Sequence, residues 1–256
     1  MTLLRTVGMS VSFGGLRAVD CLDIEIGGGA LVGLIGPNGA GKTTCIDGLS
    51  GFVPTTGQLL FNNREISSLR PHRRAALGLG RTWQSAELFD DLTVEENLQV
   101  AAEPQSARGV LLDFIAPNRA RPRLAVDRAL DVLGIGELAG LMPHQLSHGQ
   151  RKLVATARAV AASPALICMD EPAAGLDTHE SALLGQQLRT IVSTGTSILL
   201  VDHDMDLVLG VCDYVYVIDF GVKIAEGPPA DIARDPRVVN AYLGHPPTAT
   251  PSRGAR

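Results

Sequence analysis

The chain has 256 residues, of which 45% are hydrophobic and 19% are charged, and its formal net charge is −5. This composition is that of an ordinary globular protein with a substantial core, and its acidity argues against a general nucleic-acid-binding protein, which would more often be basic. The four cysteines lie far apart and form no CxxC pair, so we expect reduced thiols rather than a zinc site or a disulfide framework.

The N-terminal part of the chain is predicted to be rich in β-strands. Two short strands, 22–26 and 31–35, are expected on either side of a turn of three glycines, and another near residues 58–62. The first residues lack the basic-then-apolar pattern of a cleaved leader, so we expect none. Helical spacing of apolar residues follows from about residue 98 to 165, and Gly134 is expected to end one of these helices.

Strands and helices alternate in the second half. Residues 165–169 and 197–201 are continuous apolar runs, which are typical of central parallel strands covered on both faces. Residues 214–218 and 222–227 predict a strand, a turn and a second strand. No apolar run approaches the ~18 residues that span a bilayer, so the chain is predicted not to cross a membrane itself. The Pro-rich, polar residues 245–256 are predicted to form a disordered tail.

A phosphate-binding loop is predicted where the sequence reads GPNGAGKT, between a strand and a helical pattern. Backbone N–H groups of such a loop point at phosphates, and the helix start adds the positive end of its dipole. Lys42 is expected to reach the β- and γ-phosphates, and the Thr43 hydroxyl to bind Mg²⁺. No guanine-reading N-K-x-D motif occurs, which favours ATP over GTP. The candidate nucleotide-binding residues of this loop are Gly36, Pro37, Asn38, Gly39, Ala40, Gly41, Lys42, Thr43 and Thr44.

A pair of carboxylates is predicted at the end of the first buried strand of the second half. Asp170 ends the apolar run, at the place where open α/β sheets hold their ligands, and would help to hold Mg²⁺. Glu171 follows directly and could act as general base on a hydrolytic water. The alternative is that these residues are only a polar strand end. The phosphate-binding loop in the same chain argues against that alternative.

The segment PHQLSHGQRK, residues 143–152, predicts the start of a helix. Ser147 and Gln150 have the spacing of a capping box, in which each side chain satisfies the other residue's backbone N–H. The exposed N–H groups of such a helix start, with Ser147 and Gly149, could also form an anion site. A capping function and an anion-binding function are therefore both open for this segment.

Taken together, LSHGQ, the phosphate-binding loop and ICMDEP resemble the ATP-binding subunits of ABC transporters over roughly residues 2–244. In that family an L-S-G-G-Q-like signature lies about twenty residues before the strand-end aspartate, and Gln150 and Asp170 have this spacing. The resemblance implies an α/β P-loop NTPase fold with a mainly parallel central sheet, an N-terminal antiparallel β subdomain and a helical signature subdomain. It implies one domain over residues 1–244, with the helical subdomain inserted at about 85–163.

The same resemblance implies roles for further residues. In RTWQ, Gln84 is implied to contact Mg²⁺ and the attacking water, and in LLVDHD, His203 is implied to sense the γ-phosphate. Phe13, in VSFGG, matches an aromatic residue that stacks on adenine, with Val19 as an alternative wall of that site. Asp177, in AGLD, is implied to lie in the D-loop of the family, although it could equally be a helix cap.

Further segments, among them FGGLRAVD (13–20), RTWQSAELFDDLTVEENLQVA (81–101) and VVNAYLG (238–244), carry a finer resemblance. This resemblance is to the ATP-binding proteins of high-affinity branched-chain amino-acid importers, and it includes an insertion at about 103–123. It implies a head-to-tail dimer with a second copy or a paralogue, with each ATP held between one phosphate-binding loop and the other subunit's signature. It also implies an integral membrane permease as partner, a solute-binding protein as indirect partner, no nucleic acid, and a peripheral place on the cytoplasmic face of the membrane. Leu88 and Phe89 could contact the permease or could be buried internally.

Two other functions stay open on the sequence. One is the ATPase subunit of an exporter such as a lipopolysaccharide-type system. The other is a soluble ABC ATPase acting on nucleic acid or ribosomes, but such proteins generally carry two cassettes or a long coiled coil, and this chain has neither.

Overall fold

The computed structural model describes residues 1–83, 87–103 and 120–243. The strands are β1 (Thr2–Phe13), β2 (Leu16–Leu22), β3 (Glu25–Gly27), β4 (Leu31–Ile35), β5 (Thr56–Phe61), β6 (Arg64–Glu65), β7 (Leu79–Arg81), β8 (Leu166–Asp170), β9 (Ser197–Val201), β10 (Tyr214–Asp219) and β11 (Val222–Gly227). The helices are α1 (Lys42–Ser50), α2 (Pro71–Ala76), α3 (Val94–Ala102), α4 (Ala120–Leu133), α5 (His148–Ala161), α6 (Thr178–Ser193), α7 (Met205–Val211), α8 (Pro229–Ile232) and α9 (Pro236–Leu243).

The central sheet of the described residues has the strand order β11-β10-β4-β9-β8-β7. Every neighbouring pair is parallel except the β10–β11 hairpin. Because parallel strands end at the same edge of a sheet, the loops that follow β4, β8 and β9 lie next to one another. This is the predicted mainly parallel sheet, and the predicted buried strands at its centre are confirmed.

An N-terminal antiparallel sheet lies beside the central one. Strand β1 pairs with β5 along one side, and with β2 and β3 along the other, in the order β2-β1-β5-β6. The helix α1 and strand β5 follow the phosphate-binding loop in sequence, so this sheet is built partly before and partly after that loop. The predicted antiparallel β subdomain is thus present.

The side chains of the central sheet alternate between two hydrophobic cores, as the two-residue period of a strand requires. In β4, Leu31 and Ile35 face a core that includes helices α3 to α7, whereas Val32 and Leu34 face a second core with α1 and the antiparallel sheet. Helices α3, α4 and α5 pack against one another as the helical part. Among the described residues, no helix is long and apolar enough to cross a membrane.

The predicted strand over residues 22–26 is wrong, because the chain is interrupted between β2 and β3. The hydroxyl of Thr6 donates to the carbonyl of Leu22 at 2.8 Å and accepts the N–H of Ile24 at 2.9 Å. The backbone N–H of Thr6 also donates to the carbonyl of Ile24 at 2.9 Å. Thr6 therefore bridges the break through both its side chain and its backbone, at the point where β1 changes its partner from β2 to β3. Most of the insertion predicted at 103–123 and the tail at 245–256 lie outside the described residues.

Arg74 fixes the C-terminal end of the helix that follows the phosphate-binding loop. This arginine is 2% exposed, and its guanidinium donates to the carbonyls of Gly48 and Leu49 in the last turn of α1, each at 2.7 Å. It also donates to the carbonyls of Ser67 and Leu69. These are carbonyls that a helix end leaves without partners of its own.

We therefore expect Arg74→Met to lower the free energy of unfolding by about 3 kcal/mol, since several buried acceptors would lose a charged donor. Urea unfolding measures this difference. Arg73→Met is the matched control, because Arg73 lies on the same helix but is exposed, and it should change stability by less than about 0.5 kcal/mol. Equal losses in the two variants would contradict this interpretation of Arg74.

Candidate nucleotide-binding site

The loop between β4 and α1 passes so close to other backbone that two of its glycines cannot carry a side chain. A Cβ at Gly36 would lie 2.0 Å from the carbonyl oxygen of Ile218, and one at Gly41 would lie 2.4 Å from that of Ala18. Gly41 also has a φ of 100°, a left-handed conformation that glycine adopts at little cost. The glycine spacing of the loop thus follows from its packing between β2 and β10.

Lys42 begins α1 and is buried. Its Nζ donates to the carbonyls of Gly36 at 2.8 Å and Pro37 at 3.0 Å, so the side chain folds back over the loop. Burial lowers the pKa of Lys42, against the opposing effect of the carboxylates Glu171 and Asp170 nearby. Asn38, Gly39 and Thr43 are exposed and Thr44 is half-buried, which leaves the rim of the loop open to solvent.

The carboxylate of Asp170 lies beside the start of α1. The Thr43 hydroxyl donates to Oδ1 of Asp170 at 3.3 Å, although these residues are 127 positions apart. Asp170 is 3% exposed, and burial raises its pKa while Arg81 and Thr43 oppose the rise. Two hard oxygen donors at the mouth of a phosphate-binding loop are the ligands that Mg²⁺ takes in nucleotide sites, so these residues fit that ion.

Arg81 is a site residue that the sequence reasoning missed. Its guanidinium lies 2.5 Å from Oδ1 of Asp47, on α1, and 3.7 Å from Oδ2 of Asp170. The side chain is 7% exposed, and it stacks against the ring of Trp83 at 4.1 Å. A buried cation at the end of β7 thus joins α1 to the carboxylate of β8.

Glu171 has an unusual backbone conformation directly after β8. Its φ is 48°, in the left-handed region that residues with a side chain seldom adopt. The N–H of Glu171 donates to the carbonyl of Val201 at the end of β9, at 2.7 Å. Nδ1 of His203 lies 3.9 Å from Oε1 of Glu171, so the structure brings these two predicted catalytic residues together at the edge of the sheet.

Asp202 is a second residue that the sequence reasoning passed over. It is completely buried, and its carboxylate accepts the backbone N–H groups of Ala173 at 3.0 Å, His203 at 2.8 Å and Asp204 at 3.0 Å. These bonds join the segment after β8 to the segment after β9. The only sequence signal was an aspartate directly after an apolar strand, beside the more conspicuous histidine.

The predicted capping box at the signature is confirmed. The side chain of Ser147 accepts the N–H of Gln150 at 3.2 Å, and Oε1 of Gln150 accepts the N–H of Ser147 at 2.9 Å. Ser147 and His148 are exposed, and His148 is the first residue of α5 rather than a strained position. The signature therefore presents the N-terminal end of a long helix to solvent.

The remaining predicted residues fall into three groups. Asp177 caps α6 through the N–H of Glu180 at 2.8 Å, which confirms the capping alternative for it. Phe13 is 51% exposed at the end of β1, whereas Val19 is buried in the core. Gln84 lies outside the described residues.

An exposed aromatic surface, which we call the aromatic patch, consists of Phe52, Trp83 and Phe89. The rings of Phe52 and Trp83 meet edge to face at 4.9 Å, and the guanidinium of Arg158 lies 5.0 Å from the ring of Phe89. A cavity of about 360 Å³ borders this surface, and its lining includes Trp83 and Arg158. Leu88 packs against the helical core, so the two apolar residues of this segment differ in their environment.

Comparison with known families agrees with this geometry. Residues 19–174 match the ABC transporter family, and residues 222–247 match the family of branched-chain amino acid ATP-binding cassette transporters. The chain belongs to the ATP-binding subunits of ABC transporters. The catalysed reaction is ATP hydrolysis, as in that family.

Similar proteins match this ABC ATPase over nearly its whole length. LivG of Salmonella typhimurium, a high-affinity branched-chain amino acid transport ATP-binding protein, is 39% identical over 94% of this chain and 98% of its own. BraF of Pseudomonas aeruginosa, which has the same description, is 36% identical over 94% of this chain and 98% of its own length. The crystal structure of the ADP conformation of MJ1267, an ATP-binding cassette of an ABC transporter, has a TM-score of 0.83 at 30% identity, covering 96% of this chain and 100% of that chain.

The C-terminal helix of this ABC ATPase reaches the phosphate-binding loop. Burial raises the pKa of Tyr242, on α9, to about 12, and the neighbouring backbone of Gly36 opposes the rise. Tyr242 lies within the segment that matches the branched-chain family. This segment is therefore near the loop that carries Lys42.

We expect Lys42→Ala to weaken ATP binding about 10- to 100-fold, because a charged donor to phosphate contributes roughly 1.5–3 kcal/mol. Isothermal calorimetry on the isolated subunit measures the dissociation constant. Lys223→Ala is the control, since Lys223 instead donates to the carbonyl of Asp23 and to Glu226. An unchanged affinity in Lys42→Ala would contradict the role of the loop lysine.

Proposed function

We propose that the chain is the energy-coupling ATPase of an importer for branched-chain or other hydrophobic amino acids. The observation that carries this proposal is the match of residues 222–247 to the branched-chain transporter family, together with end-to-end similarity to LivG and BraF. The cargo itself would be selected by a solute-binding protein and a permease, since the ATPase does not touch it. The subunit would then lie on the cytoplasmic face of the membrane.

In the proposed reaction, the phosphate-binding loop and Lys42 hold the β- and γ-phosphates of ATP. Thr43 and Asp170 would hold Mg²⁺, which would neutralise charge on the phosphates, and Gln84 is proposed as a further contact. Glu171 accepts a proton from the attacking water, and His203 orients the γ-phosphate beside it. Phe13 is proposed to stack on the adenine.

We further propose that two ATPase subunits, identical or paralogous, pack head to tail. The exposed N-terminus of α5, with Ser147, Gly149 and Gln150, would then face the γ-phosphate held by the other subunit, where a helix start favours an anion. Asp177 would lie at the same interface. Because these contacts form only in the closed dimer, ATP would shift the population towards it.

The aromatic patch is proposed as the surface that meets the permease. Phe89 is 46% exposed and is held by the cation of Arg158, whereas Leu88 is partly buried and packs internally. Arg158 also donates to the carbonyl of Glu87, so the side chain would connect a permease contact to the last turn of α5. Membrane association would be peripheral in this arrangement.

The transport function is tested by reconstituting the chain in liposomes with its permease. We expect the ATPase rate to rise when solute-binding protein loaded with leucine, isoleucine or valine is added. Stimulation by a different solute would contradict the cargo part of the proposal. Rates that depend on a lipid substrate and not on any binding protein would contradict import and favour an exporter.

Glu171→Gln should reduce the rate constant of hydrolysis by at least about 100-fold, because the general base is lost. ATP binding by the isolated subunit should persist, since the phosphate-binding loop is unchanged. Light scattering should then show an ATP-stabilised dimer. Full steady-state hydrolysis in Glu171→Gln would contradict the role of this carboxylate.

The Glu171→Gln variant also allows a test of the proposed contact between the signature and the partner's nucleotide. In the Glu171→Gln, Ser147→Arg double variant, the isolated subunit should bind ATP but fail to dimerise, because a bulky side chain replaces the capping hydroxyl at the proposed interface. Normal ATP-dependent dimerisation of the double variant would contradict a role for Ser147 towards the partner's nucleotide.

A further inference from the structure

Lys152 lies in the second turn of α5, and its side chain leaves that helix to reach the segment that follows Glu171. The residue is 8% exposed. Its Nζ donates to the carbonyl of Pro172 at 3.3 Å and also to the carbonyl of Ala174. This long cationic side chain is therefore buried, and it binds two backbone acceptors of a loop in another part of the chain. A lysine on a solvated helix face would instead keep its ammonium group in water.

The first turn of α5 contacts the same region of the chain. A Cβ at Gly149 would lie 2.9 Å from Oε1 of Glu180, in the cap of α6, and one at Gly175 would lie 3.5 Å from Nε2 of His148. The signature helix thus contacts the segment between Glu171 and the start of α6 at several points. Of these contacts, the one between Lys152 and Pro172 lies nearest to Glu171 along the chain.

The segment after Glu171 is held from its other side by the end of β9. The carbonyl of Val201 accepts the N–H of Glu171, and Asp202 accepts the N–H of Ala173. The left-handed φ of Glu171 persists only where the surroundings hold it. Lys152 supplies that restraint from the helical side, and the β9 end supplies it from the sheet.

The charges around Lys152 match this placement. Burial lowers its pKa, while Asp202 and Glu171 favour its protonated form. Lys152, Glu171 and Pro172 line one small cavity together with Thr82, Trp83 and Thr156. The ammonium group of Lys152 therefore lies near the carboxylates of Asp202 and Glu171, but its hydrogen bonds go to backbone carbonyl oxygens.

We propose that Lys152 is a positioning residue, which fixes the segment carrying Glu171 to the signature helix and so places the catalytic carboxylate. This rests on the role of Glu171 proposed above. In a head-to-tail dimer, the helix that meets one nucleotide would then restrain the carboxylate that acts on the other. The reaction needs a carboxylate within hydrogen-bonding distance of the water, and a displacement of about 1 Å is enough to cost about 100-fold in rate.

The test is Lys152→Met, which keeps the length of the side chain and removes the donors. We expect the rate constant of hydrolysis to fall at least about tenfold, while the calorimetric dissociation constant for ATP stays within about twofold, since the phosphate-binding loop is not altered. In the Glu171→Gln background, the ATP-stabilised dimer should still form. Lys152→Arg, which keeps a cationic donor, should recover most of the lost rate.

Arg128→Met is the matched control. Arg128 also donates to a backbone carbonyl of another element, that of Thr194 at 3.0 Å, but it is exposed and contacts the far end of α6. Its hydrolysis rate should equal that of the unmodified chain. If Lys152→Met does not fold, Lys152→Gln, whose side chain is neutral and too short to reach both carbonyls, is measured by the same criteria.

An unchanged rate in Lys152→Met would overturn the proposal. So would parallel losses of rate and ATP affinity, which would mark a merely structural residue, or an equally low rate in Lys152→Arg. The result is separable from the role of Glu171 itself. If Glu171→Gln is inactive and Lys152→Met is fully active, only the positioning role fails; if Glu171→Gln is active, the assignment of the general base fails.

Discussion

The site depends on one constraint, which is that β4, β8 and β9 are parallel neighbours. Their carboxyl ends meet at one edge of the sheet. The phosphate-binding loop follows the first of these strands, Asp170 and Glu171 end the second, and His203 follows the third. Residues more than 120 positions apart, such as Thr43 and Asp170, come within hydrogen-bonding distance for this reason alone.

Burying carboxylates at this edge requires compensation, and the chain supplies it in two different ways. Asp202 accepts hydrogen bonds from three backbone N–H groups, whereas Asp170 faces a buried arginine and a hydroxyl. Isolated buried charge is costly, so each group must keep its partners. Arg81 and Lys152 in turn bind groups on neighbouring elements. The polar residues of the site therefore also act as connections between α1, α5 and the sheet.

The sequence predicted those parts of the site that lie within one continuous segment. The loop Gly36–Thr43, the strand 197–201 and the capping box at Ser147 are each local patterns of a few residues, and the structure has all three. Arg81 and Lys152 were missed because nothing in their own neighbourhood distinguishes them from solvated residues. Their function comes from acceptors 20 or more positions away. The break between β2 and β3 was missed for a related reason, since it depends on the hydroxyl of Thr6.

The first two helical positions of the signature differ in the space that they leave for a side chain. His148 begins α5 with ordinary helical backbone, and its ring extends towards Gly175. A side chain is accommodated there because the first residue of a helix has open space on its outer side. One position further, a Cβ at Gly149 would meet the Glu180 carboxylate at 2.9 Å, and that carboxylate is already engaged in capping α6 through Asp177. A side chain at 149 would therefore have to displace the exposed carboxylate of Glu180. The cost at this position is the disturbance of the α6 cap, in which Glu180 accepts the N–H of Asp177.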